Sequence, residues 1–155
     1  MKKILCLFLI LAVCFCFSGC SSKPSTIDIA KDILYCFDNR DDEGLKRLFC
    51  EAISKDSLNS QIETAFDIYD GKSVSYSSIS TPSQKSIRNG ETVLSQINPL
   101  IRHIKTDTGM EYAIKFYTYR INKKNPEKVG VYFISLYTYN DNKEMVLLAE
   151  IGKVI

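Results

Sequence analysis

The sequence predicts an α+β domain in which three N-terminal helices pack on a curved antiparallel sheet of four to five strands. Three observations carry that expectation. Apolar residues recur at helical spacing from Ala30 to Tyr69, and after Gly71 the spacing drops to two. The later segments are bounded by turn residues such as Asp107-Thr108-Gly109 and Asp141-Asn142-Lys143. Helices first and strands afterwards is the order of an α+β chain rather than of alternating βαβ units.

The first nineteen residues stand apart from that domain. Lys2 and Lys3 precede an apolar run of fourteen residues, Ile4 to Phe17, which ends in Ser18-Gly19-Cys20 and a polar stretch. A charged start, an apolar middle and small residues at the end are the parts of a secretory signal. A bilayer-spanning helix needs roughly twenty apolar residues, so the run is short for a permanent span. A cysteine directly after the small residues resembles a bacterial lipoprotein signal, with Phe17 where that pattern usually has Leu. The resemblance implies a signal peptide over residues 1–19 and a Cys20 that carries diacylglycerol and becomes the first mature residue. It places the protein at the cell membrane, lipid-anchored (palmitate-type chains) on the extracytoplasmic side. An ordinary cleaved signal and an uncleaved anchor are the alternatives.

Residues 20–26 read as a tether, with Pro24 blocking regular structure, and residues 27–155 as one domain. Ser25 or Thr26 caps the first helix and Asp28 places negative charge in its first turn. Ala30, Ile33, Leu34 and Phe37 form its buried stripe, which breaks at Asp38-Asn39-Arg40. Asp41 or Asp42 caps a second helix with Leu45, Leu48 and Phe49 on its apolar face. Ser57 begins a third, striped by Leu58, Ile62, Ala65, Phe66 and Tyr69 and stopped by Asp70-Gly71.

Ser73–Ser80 alternates as an edge strand, and Thr81–Asn89 is polar and reads as an irregular connection. Gln96–Thr106 reads as one strand, with Pro99 favouring an edge or a bulge. Met110–Asn122 turns Met110, Tyr112, Ile114 and Phe116 inward and Glu111, Ala113, Lys115, Tyr117 and Tyr119 outward. Val129–Asn140 is apolar on both faces, Val131, Phe133 and Tyr137 on one and Tyr132, Ile134 and Leu136 on the other, as in a central strand. Glu144–Val154 closes the sheet with Met145, Leu147, Ala149 and Ile151 toward the core.

Three helices followed by a curved meander resemble the cystatin-like, NTF2-like fold, and most closely Gram-positive lipoproteins with an NTF2-like domain of unknown function. The residues that carry this are Cys20, Tyr35-Cys36-Phe37-Asp38-Asn39, Leu45-Lys46-Arg47-Leu48-Phe49, and Tyr112 to Val131 with Gly130. No catalytic residue comes over with the resemblance.

Once Lys2 and Lys3 leave with the signal, 18 basic side chains face 18 acidic ones. A near-neutral domain without a basic stripe is not expected to bind nucleic acid. The richest basic stretch, Asn122 to Lys128, reads as a solvated hairpin loop, with contact to anionic lipid or wall polymer the minority reading. Cys36 and Cys50 are the cysteines of the folded domain. An exported pair invites a disulfide, but each sits near the end of its own helix, farther apart than a bridge spans, which favours two separate thiols. No CxxC or Cys/His cluster suggests a metal, and no cofactor is expected.

His103, the single histidine, reads as a solvated or hydrogen-bonded structural residue with no carboxylate partner near it in sequence. The more suggestive feature is tyrosine. Tyr117, Tyr119 and Tyr132, with Tyr137 and Tyr139, fall on neighbouring strands, and some must face outward. Cross-strand packing explains them in part; an interaction face for a protein partner, a homodimer or a ligand is the functional reading. The leading expectation is a non-catalytic, lipid-anchored binding module. An accessory subunit of an envelope complex and an enzyme with an NTF2-like pocket are the alternatives.

Overall fold

Ser25 starts the first helix because two backbone donors are satisfied there at once. Its hydroxyl accepts from the Asp28 amide (3.1 Å) while the Asp28 carboxylate accepts from the Ser25 amide (2.9 Å), a reciprocal cap. This is a feature of a computed structural model that describes residues 24–152. Helix α1, Thr26–Asn39, buries Ile29, Ala30, Ile33, Leu34, Cys36 and Phe37. It ends at Arg40, whose φ of 50° turns the chain and returns its amide to the carbonyls of Cys36 and Phe37. The Asp41 carboxylate caps α2, Asp42–Leu48, by accepting from the Gly44 amide, and α3 follows at Lys55–Ile68.

Eight strands make one open sheet: β1 (Ser73–Ser75), β2 (Ser78–Ser80), β3 (Ser83–Arg88), β4 (Glu91–Ile97), β5 (Leu100–Thr106), β6 (Glu111–Asn122), β7 (Gly130–Tyr139) and β8 (Met145–Ile151). Every strand pairing is antiparallel. Strand β6 is the spine. One edge pairs with β7. The other takes β5 along its first half (Ile101↔Ile114, Ile104↔Tyr112) and β4 along its last residues (Ile97↔Thr118, Leu94↔Asn122). Strands β1 and β2 extend β5, β3 extends β4, and β8 lies outside β7.

The α+β class and the three helices stand as the sequence predicts, but eight strands replace the expected four to five. Three local causes account for this, the first being that the expected Ser73–Ser80 edge strand breaks at Tyr76-Ser77 into β1 and β2, which pair with β5 separately. Thr81–Asn89 is not irregular: Ser83–Arg88 pairs with β4 through a two-residue turn, Asn89-Gly90, in which both residues have positive φ (49° and 78°). Such turns suit Asn-Gly. Pro99, without an amide proton, splits the expected Gln96–Thr106 strand into the end of β4 and the start of β5.

The helices cover one face of the sheet. Ile33, Phe37, Leu58, Ile62 and Phe66 meet Ile104, Tyr112, Ile114, Phe116, Ile134 and Leu136 in a single core. The Gln61 side chain accepts the Gly152 amide (2.8 Å) and ties α3 to the end of β8. Gly130 lets the chain after α2 reach the sheet. Its φ is 127°, and a Cβ there would lie 3.2 Å from the Cys50 backbone, which itself donates to the Val131 carbonyl (2.8 Å).

Bulges reset which side chains face the core. Tyr117 pairs with Phe133 but Thr118 with Val131, so Tyr132 is the extra residue, and Val131 joins Ile134 and Leu136 on the core side. Leu148 is the extra residue of β8. Ala149 and Ile151 therefore face the core as expected, whereas Met145 and Leu147 pair with the outward Tyr139 and Tyr137, and Leu147 is 47% exposed. Met110 is exposed as well, at the mouth of the β5–β6 turn rather than inside.

Candidate functional site

No described element covers the outer face of the sheet, and register fixes what it displays. Lys115 stands beside Ser135, Tyr117 beside Phe133, Ala113 beside Tyr137, and Tyr137 beside Leu147. Small residues alternate with large ones. Ala113 and Ser135 are buried although they point outward. The Tyr117 and Phe133 ring centroids are 5.8 Å apart, and the Lys115 ammonium sits 5.2 Å from the Tyr117 ring centroid.

The sequence-derived set of Tyr117, Tyr119 and Tyr132 falls into two contacts. Tyr117 packs with Phe133, while Tyr119 meets Tyr132 edge-on at 6.3 Å. Tyr132, at its bulge, also packs against the core. All three are half-buried. Leu147 joins the surface although the period-two reading placed it toward the core, while Phe133 stays on the face of Tyr137 as that reading had it and Val131 turns inward.

The face ends in a polar cluster at the start of β6. A bulge sets Arg102 and His103 opposite Ala113, and His103 takes a φ of 51°, unusual for a residue with a side chain. Its ring stacks on Tyr139 (centroids 4.7 Å apart, planes 8° apart), and its amide donates to the Tyr139 hydroxyl (3.3 Å). Nδ1 of His103 lies 2.6 Å from Oε1 of Glu111. That carboxylate was missed in sequence because it sits on the next strand, where the Asp107-Thr108-Gly109 turn folds it back. With Nδ1 held by the carboxylate, the ring is oriented and Nε2 is its remaining polar atom. Ser75, Tyr76, Ser77 and Lys105 complete a cleft of about 390 Å³ around the pair. The arrangement supplies a fixed hydrogen-bonding point at the edge of an aromatic field.

A second polar cluster joins the helices to β1. Asp38 accepts from the Tyr69 hydroxyl (3.0 Å), the Ser73 amide (2.7 Å) and the Ser73 hydroxyl (2.5 Å). The Tyr112 hydroxyl donates to the Ile68 carbonyl (3.1 Å) and accepts from the Asp70 amide (3.1 Å). Burial, and then the Asp38 carboxylate beside it, push the Tyr69 phenol far above its ordinary range, so it stays a donor. Each polar group has its partner, and the cluster reads as a clasp.

Cys36 and Cys50 are both free and buried. Burial, reinforced by the Asp41 and Asp32 carboxylates, raises Cys36 to about 11, and burial raises Cys50 as well. Both are protonated, unreactive thiols at neutral pH. Cys20, the expected lipidation site, lies outside the described residues, as does the signal peptide. Among the described residues no helix is long and apolar enough to cross a membrane, and no three His, Cys, Asp or Glu side chains group as a metal site.

The family model described as Domain of unknown function (DUF5104) matches residues 32–139. A comparison with curated proteins gives no match.

Proposed function

The chain belongs to the DUF5104 family, and we propose that it works as an extracytoplasmic, lipid-anchored binding module of NTF2-like fold that holds a protein partner on the outer face of its sheet. One observation carries the reading: an aromatic surface from Tyr117 and Phe133 through Tyr137 and Leu147 to Tyr139 and His103, left uncovered by the helices. Small ligands favour concave sites that enclose them. A sheet face rich in Tyr and Phe with a polar end has instead the composition of a protein-binding patch. The membrane address rests on the Lys2-Lys3 start, the apolar run and Cys20.

Crosslinked recovery of the protein from its native membrane tests the reading. Tyr117→Ala combined with Tyr119→Ala removes two half-buried rings and is expected to lower partner recovery about tenfold, since a few aromatic anchors dominate such interfaces. Undiminished recovery with the double variant rules out this face as the binding surface.

A further inference from the structure

The end of the sheet remote from His103 carries a different surface. A cleft of about 540 Å³ lies between the β3–β4 hairpin and the loop after β6, and four of its lining residues are Arg88, Lys123, Lys124 and Lys128. No carboxylate lines it. Lys123 is paired with Glu91 outside the cleft, whereas among the described residues Arg88, Lys124 and Lys128 have no ion pair. The loop is held in place, because the Asn122 side chain accepts the Asn125 amide (3.0 Å). Tyr119 forms part of the wall.

The first described residues lie at the same end of β6 as this cleft. The Arg120 guanidinium donates to the Pro24 carbonyl, and Arg120 follows Tyr119 on β6. Cys20 lies four residues before Pro24, a reach of at most about 14 Å when extended. A lipid on Cys20 therefore brings this end of the domain to the membrane surface, where anionic headgroups attract basic side chains over about a Debye length, roughly 8–10 Å.

We propose that the Arg88–Lys123–Lys124–Lys128 cleft binds the phosphate groups of anionic phospholipid headgroups and so fixes how the anchored domain stands on the membrane. The proposal rests on the lipid-anchor reading for its geometry. It gives β6 a direction: Asn122 points to the membrane, and Glu111 with His103 lies some 35 Å farther along the strand at about 3.3 Å per residue. The polar end of the outer face is then held away from the bilayer.

The test uses the acyl-free mature chain from residue 20, carrying Cys20→Ser, in flotation with vesicles of phosphatidylglycerol and phosphatidylcholine or of phosphatidylcholine alone. Binding is expected only with phosphatidylglycerol and is expected to weaken with salt. Arg88→Gln with Lys124→Gln, both exposed, is expected to weaken it about 25-fold, near fivefold per charge. Lys72→Gln with Lys105→Gln removes the same charge at the far end and is expected to change binding less than twofold. Equal losses in the two pairs, no loss in the first, or no binding to either vesicle overturns the proposal. Calorimetric binding of inorganic phosphate without vesicle binding assigns the cleft to a free anion and overturns the lipid source. Because this chain carries no acyl group, the result is independent of whether Cys20 is lipidated, which fractionation of a Cys20→Ala chain reads separately.

Discussion

A chain carrying Cys20→Ala is expected to leave the membrane fraction almost completely. Each buried methylene contributes about 0.8 kcal/mol, so a single short chain holds a protein only marginally while two or three chains on one residue hold it essentially for good. Removing the acceptor thiol removes all of them, and a basic cleft of four cations does not replace them. Fractionation with immunoblotting, together with the mass of the mature N-terminus, reads the outcome. Wild-type protein is expected in the membrane with its first residue at Cys20 and acyl mass attached. A Cys20→Ala chain that stays in the membrane uncleaved would show that the apolar run from Ile4 to Phe17 is itself the anchor.

Loss of the Asp38 carboxylate is expected to be the most damaging single change within the folded domain. Asp38 takes three hydrogen bonds, one from the Tyr69 hydroxyl and two from Ser73. Tyr69 is buried, with its ring tilted against Tyr112 at 4.8 Å, so without the carboxylate its hydroxyl must turn to the neutral Ser73 hydroxyl beside it and the Ser73 amide loses its acceptor. A buried donor left without a partner costs roughly 1–3 kcal/mol, and hydrogen bonds to a charged group contribute more than neutral ones. Asp38→Ala is therefore expected to lower stability by about 2–4 kcal/mol. Asp38→Asn retains one acceptor oxygen and is expected to cost about 1 kcal/mol. Urea unfolding should show both as shifts in midpoint with little change in slope. If the alanine and asparagine variants unfold together with the wild type, the clasp does not stabilise the fold.

The helical half of this architecture can be read directly, because each helix carries one apolar stripe and the first two a polar cap: Ser25 with Asp28, Asp41 with Gly44. The sheet was legible in its spine, β6 and β7, where the apolar content is high. It was not legible at β3, whose six residues are all exposed and show no alternation; Asn89-Gly90 was the only signal there. Nor could face assignments survive the bulges. One extra residue at Tyr132 and one at Leu148 reverse the inward and outward sets beyond them, which is why Val131 turns to the core, away from Phe133 and Tyr137, and Leu147 to the outer surface. The same limitation hid the partner of His103. Period-two reasoning gives faces but not register, and only register brings Glu111 across the turn to 2.6 Å from the imidazole. The outward tyrosines needed only strand alternation, so Tyr117, Tyr119, Tyr137 and Tyr139 were found while Leu147 and the His103–Glu111 pair that complete their surface were not.

The claim that the outer sheet face is where this protein binds is tested most directly by site-specific photocrosslinking in native membranes. A photoreactive phenylalanine analogue would be placed at Tyr117 on the outer face or at Tyr35, 61% exposed on the helical layer. The expected result is a discrete crosslinked partner from position 117 and none from position 35. A partner captured from position 35 alone, or equally from both, would contradict the assignment and move recognition to the helices.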